Sequence, residues 1–133
     1  MGHVARQHPL QVVNYLRKTV NFNDAGISSG VPFAAYLPAG AQILDTIVNV
    51  ITAFNAGTTN VLTVGQNSSS YNDIVGSSDV TEGTPAAYVA TAGAGLDLSA
   101  GDALPYVKYA QTGTAATTGK AVVVITYVPN NDL

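Results

Sequence analysis

The stretch AQILDTIVNVITAF, Ala41 to Phe54, is the longest apolar run of the chain, and its periodicity decides the fold class. No i, i+3, i+4, i+7 stripe runs through it, whereas β-branched residues recur along it. Read with period 2, it places Leu44, Thr46, Val48, Val50, Thr52 and Phe54 on one face. Ile43, Asp45, Ile47, Asn49 and Ile51 fall on the other. Neither face is purely polar. This predicts that both are partly covered, one by a second sheet and the other by a neighbour or by the N-terminal arm.

Shorter runs of the same kind flank it, separated by turn chemistry. Upstream are LQVVNYLRKTVNF (Leu10 to Phe22) and VPFAAYL (Val31 to Leu37), the latter with Pro32 marking a strand start or an edge strand. Downstream are NVLTVGQ (Asn60 to Gln66), AAYVAT (Ala86 to Thr91), a short piece at Leu96 to Leu98, PYVKYAQ (Pro105 to Gln111) and KAVVVITYVP (Lys120 to Pro129). FNDAGISSG, PAG and NAGTT supply turns, and Asn67 to Gly83 forms a long polar loop with at most a short element around Tyr71 to Val75. Helix signals are scarce. The total of about seven or eight strands in one domain predicts an all-β sandwich or barrel.

Composition narrows the function. The chain has 133 residues, of which only 10% are charged, against about 25% in an ordinary domain. Ser, Thr, Asn, Gly and Ala must therefore cover the surface, which suits close approach to other proteins. There is no cysteine, which excludes disulfides, thiolate metal sites and Cys nucleophiles. No apolar run approaches the roughly 18 residues of a membrane helix. The start MGHVARQHPLQVV lacks the sustained apolar core of a secretory signal, so none is expected. Charge is uneven: residues 1–23 hold Arg6, Arg17 and Lys18 and no acid, while the rest holds Lys108 and Lys120 against all eight acids. An N-terminal arm that docks on a more acidic surface fits this pattern. Five basic residues in all leave no electrostatic footprint for nucleic acid.

Possible catalytic and binding motifs were tested against the chemistry they require. GTAATTGKA, Gly113 to Ala121, resembles a phosphate loop at first sight, but Gly113 and Gly119 enclose five residues where four are needed. Ala121 stands where the magnesium-binding hydroxyl belongs, and a strand follows rather than a helix. The segment instead reads as the tip of a final hairpin between Tyr106–Gln111 and Lys120–Val128, its small side chains reaching toward a neighbouring subunit. The two histidines, His3 and His8, lie in the arm, where no base–nucleophile geometry is fixed. Asp73, Asp79 and Glu82 do not match the calcium-loop spacing and are expected to be solvated loop acids. The absence of Trp argues against a glycosidase cleft. The seven tyrosines suit interfaces or strand rims.

Four segments are informative together: KTVNFNDAGISSGV (Lys18 to Val31), LPAGAQIL (Leu37 to Leu44), TAFNAGTTNVLTVG (Thr52 to Gly65) and YVKYAQTGTAATTGKAVVVITYVP (Tyr106 to Pro129). They resemble head decoration or capsid cement proteins of tailed bacteriophages, over most of the chain from Lys18 onward. The resemblance implies a jelly-roll-like antiparallel β-sandwich of about eight strands over residues 18–133, with an extended N-terminal arm over residues 1–17. It also implies a protein made in the bacterial host cytoplasm that clamps neighbouring major capsid subunits on the outer capsid surface, as a dimer or trimer. The expected partners are the major capsid protein and further copies of the chain, with no nucleic acid and no membrane. No catalytic motif defines the group, so no enzyme, cofactor or metal role follows. The expected contacts are Arg6, His8, Tyr15, Arg17 and Lys18 in the arm, which would order on binding, and Thr114, Thr117, Thr118 and Lys120 at the tip. Two other roles stay open: a tail or fibre component of the virion, and a carbohydrate-binding β-sandwich module.

Overall fold

A computed structural model describes residues 12–98 and 101–130. Among them the chain forms seven strands and no helix: β1 Asn14–Asn21, β2 Val31–Pro32, β3 Gln42–Thr52, β4 Thr59–Gly65, β5 Ala87–Ala90, β6 Tyr106–Thr112 and β7 Lys120–Val128. They make a four-stranded sheet in the order β1-β7-β3-β5 and a three-stranded sheet in the order β2-β6-β4. Every pairing is antiparallel. The arrangement is consistent with a β-sandwich.

Register fixes which side chains meet in the core. In the four-stranded sheet, Leu16, Ile125, Thr46 and Ala90 form one inward row, and Lys18, Val123, Val48 and Tyr88 the next. The three-stranded sheet answers with Leu62, Val64, Val107 and Tyr109. Tyr109 packs on Phe54, with ring centroids 4.7 Å apart. Val48, Val123, Ile125, Leu62 and Val64 are wholly buried, each contributing about 1.5–3 kcal/mol relative to exposure.

The decisive strand departs from a simple alternation. Its ladder with β7 is irregular between Ile43 and Asp45 and again between Val50 and Thr52. The extra residue at Leu44 rotates the strand, as a bulge does. Ile43 therefore enters the core together with Thr46, Val48 and Val50, while Leu44 turns out to solvent. The run from Val31 is also shorter than expected. Pro32 has no N–H to continue a ladder, and beyond it only Phe33 N–H to Pro105 O (2.8 Å) and an isolated Leu37–Ala103 bridge follow the neighbouring chain. Of the expected arm, Asn14 to Arg17 lie in β1, and residues 1–11 lie outside the described residues.

The connection between β6 and β7 is not a hairpin. β6 lies in the three-stranded sheet and β7 in the four-stranded one, so residues 113–119 cross between sheets. The step from one layer to the other is about 10 Å, which explains a linker longer than a hairpin needs. Gly119 (φ 152°) closes the crossover, and a Cβ there would sit 2.4 Å from the Phe54 ring.

Candidate interaction surface

The outward face of the four-stranded sheet follows from the same register. Arg17, Val124, Ile47 and Val89 stand side by side across β1, β7, β3 and β5. Thr19, Val122, Asn49 and Ala87 form the next row, and Tyr15, Thr126 and Asp45 the row on the other side. Asn21, Lys120 and Thr52 close the face. A stripe of valine and isoleucine thus crosses the middle, rimmed by Tyr15, Arg17, Asp45 and Lys120. Tyr15 is 66% and Val89 60% exposed, and the bulged Leu44 and Ile51 are exposed beside them. The edge residues of the face are open, whereas Ile47 and Val124 at its centre are half-buried and Val122 is buried. A contiguous apolar sheet surface with so few charges to desolvate is built for contact with another protein.

The expected contact residues separate in space. Tyr15, Arg17 and Lys120 share this face, with Lys120 at the end away from Tyr15. Lys18 does not: its register puts it on the core side of β1 beside Val123, where it is half-buried. Arg6 and His8 lie outside the described residues.

Thr114, Thr117 and Thr118 lie exposed on the crossover, which is tied down by hydrogen bonds. Asn55 Oδ1 accepts the N–H groups of Thr117 (2.7 Å) and Thr118 (3.0 Å), and Asn55 Nδ2 donates to Thr117 Oγ1 (2.8 Å). Thr118 Oγ1 donates to Ala53 O (2.8 Å), and Gly57 N–H to Thr114 O (2.8 Å). Ala116 is buried. The side chains of Thr117 and Thr118 and the backbone of Thr114 lace the crossover onto the turn after β3, while all three residues stay exposed. The Asn-Ala-Gly-Thr turn was legible in the sequence; that its Asn would receive a segment some sixty residues later was not.

The loop acids are structural rather than solvated. Glu82 is buried and its Oε1 accepts Leu62 N–H at 2.8 Å. Desolvation pushes its carboxyl above the usual range despite that bond. Burial and then the Glu82 charge push the Tyr109 phenol up. Asp79 is also partly desolvated, but hydrogen bonds from Gly76 N–H, Thr91 Oγ1 and Ala92 N–H outweigh this and hold it below the usual range. Asp73 accepts from both nitrogens of Gln66. Three uses, each local, scatter the acids. Among the described residues no group of three or more His, Cys, Asp or Glu side chains is placed to hold a metal ion.

No family model matches the sequence, and no curated protein does. The fold is similar to that of a solved phage protein. A chain described as "Cyanophage Pam1 capsid asymmetric unit" superposes with a TM-score of 0.70 at 22% identity, over 97% of this chain and 94% of that one. At that identity the likeness concerns the fold, and it extends over nearly the whole of both chains.

Proposed function

We propose that the chain is a virion structural protein that lies on the outer surface of a phage capsid and cements neighbouring major capsid subunits. One observation supports this reading: the outward face Arg17–Val124–Ile47–Val89, apolar along its middle and exposed at Val89, on a fold similar to a chain of a phage capsid asymmetric unit. Such a face gives modest affinity by itself. In a dimer or trimer, several copies engage adjacent subunits at once, and the effective concentration raises the overall strength.

We read the sandwich as a jelly roll. The order β1-β7-β3-β5 against β2-β6-β4 supports this, with the Val64–Val75 bridge standing where an eighth strand would flank β4. The N-terminal segment with Arg6 and His8 leads directly into β1, whose second edge is free among the described strands. We assign it the role of adding a strand or a basic tether to the capsid surface.

The test is add-back. Capsids stripped of the protein are mixed with purified chain and imaged by cryo-electron microscopy. The expected map places the four-stranded sheet against the shell. Density on the tail alone, or none on the shell, refutes the reading. A chain lacking residues 1–11 is expected to decorate more weakly; unchanged affinity would remove the tether while leaving the sheet contact standing.

A further inference from the structure

The opposite sheet carries a different kind of surface. On its outward side, Val61 and Thr63 of β4 stand beside their cross-strand partners Ala110 and Lys108 of β6. The loop after β4 folds back over them, and Ser69, Ser70, Tyr71 and Asn72 form a wall. The result is an open groove of about 420 Å³, within the size range of small-ligand sites.

The wall is built, not incidental. A Cβ on Gly65 would lie 1.3 Å from Ser70 O, so the loop returns directly over a position that only glycine allows. Asp73 Oδ1 accepts Gln66 N–H (2.9 Å), and Asn67 Oδ1 accepts the N–H groups of Ser69 (2.8 Å) and Ser70 (2.9 Å). Tyr71 donates its hydroxyl to Ser68 O (2.6 Å) and meets Tyr106 edge-on at 6.4 Å. Gly30 leaves room for the Tyr71 ring; a Cβ there would approach Tyr71 Cε1 to 2.5 Å.

Lys108 gives the groove its chemistry. It is half-buried, and its Nζ lies 5.1 Å from the centroid of the Tyr71 ring. The ring holds the ammonium by cation–π attraction but accepts none of its three N–H donors as an oxygen would. A partly desolvated ammonium gains most from an anion. Thr63, Ser69, Ser70 and Asn72 line the same groove and carry hydroxyl and carboxamide groups of the kind that pair with sugar hydroxyls.

We propose that this groove binds an acidic saccharide, a sugar ring bearing a carboxylate or a phosphate, with the anion on Lys108 Nζ and the ring hydroxyls on the Ser69–Asn72 wall. The site faces away from the proposed capsid contact and operates whether or not that contact is correct.

The test is a ¹⁵N NMR titration of the full chain with trigalacturonate, mannose 6-phosphate, neutral maltotriose and inorganic phosphate. Amide shifts at Ser69 to Asn72 and Lys108 are expected with trigalacturonate or mannose 6-phosphate, and which of the two binds distinguishes carboxylate from phosphate. Maltotriose and inorganic phosphate are each expected to bind at least about tenfold more weakly, for want of the anion or of the ring. Lys108→Gln is expected to weaken the acidic sugar at least about tenfold, and Lys108→Arg to retain most of the affinity. Both sit on a solvent-facing side and keep the spectrum of the folded protein. No shift from either acidic sugar at about 10 mM overturns the proposal. So does equal binding of maltotriose, equal binding of inorganic phosphate, or an unchanged affinity in Lys108→Gln.

Discussion

Replacing Val89 by Glu places a charge at the most exposed aliphatic residue of the proposed capsid contact. Val89 sits on the edge strand β5, beside Ile47 in the row that ends at Arg17. Fully burying a valine contributes about 1.5–3 kcal/mol, and 60% of Val89 remains to be covered, so its burial at an interface yields about 1–2 kcal/mol. Glutamate forfeits this and adds an unpaired carboxylate, whose desolvation costs at least about 1–3 kcal/mol. The sum, about 2–5 kcal/mol, weakens each contact by roughly 30- to 4,000-fold. Val89→Ala removes only the apolar part, about fivefold. Because the side chain is exposed in the isolated protein, folding stability stays within about 0.5 kcal/mol. Stripped capsids are titrated with each variant and pelleted, and the midpoint of decoration is read from the pellet. A folded Val89→Glu protein that decorates at the wild-type midpoint would show that this face is not the contact.

Three further outcomes follow from the interior. Thr46→Val should raise the thermal midpoint, by about 3–5 °C for each kcal/mol gained, because Thr46 Oγ1 is buried with no hydrogen-bond partner among the described residues; a lower midpoint by calorimetry would mean that the hydroxyl is satisfied. Glu82→Gln keeps an acceptor for Leu62 N–H and removes the charge. Since burial raises the Glu82 pKa, the folded protein binds the extra proton. The stability this confers is complete below 4.5 and is lost as pH rises through the raised folded value. The variant should therefore exceed the wild type in urea midpoint at neutral pH and converge with it in acid, and a constant difference across that range would refute the burial argument. Asn55→Ala should lower hydrogen-exchange protection at Thr117 and Thr118 by about tenfold, the worth of one hydrogen bond, and protection unchanged at both would show that the crossover is held by something else.

Strand positions were legible because β-branched runs and Asn-Gly-Thr turns are local signals. Six of the seven strands fall within runs visible in the sequence at nearly full length, and the seventh, Val31–Pro32, is cut short by the proline that marked it. The inward face of β3 was only half legible, since a bulge at Leu44 depends on the partner strand and leaves no local trace. The partner of β7 was not legible at all. Its neighbours β1 and β3 are remote in sequence, whereas β6 is adjacent and belongs to the other sheet. The candidate surface behaved likewise: Tyr15, Arg17 and Lys120 were visible as individual residues, but their union with Val89 and Val124 exists only in the register. Glu82 reads as an ordinary loop acid until the segment around it is folded against β4.

The placement of β7 between β1 and β3 also bears on how the chain is made. β1 leaves the ribosome about a hundred residues before the strand it pairs with, and local contacts are too few to hold it meanwhile. A nascent chain stopped before Lys120 would present β1 and β3 as bare ladders open to any passing strand. The four-stranded sheet is therefore completed only once β7 has been made, and its formation is slow by the standard of helical domains. The strand β7 acts as its checkpoint, since a chain that lacks it leaves β1 without a partner and β3 with one edge bare.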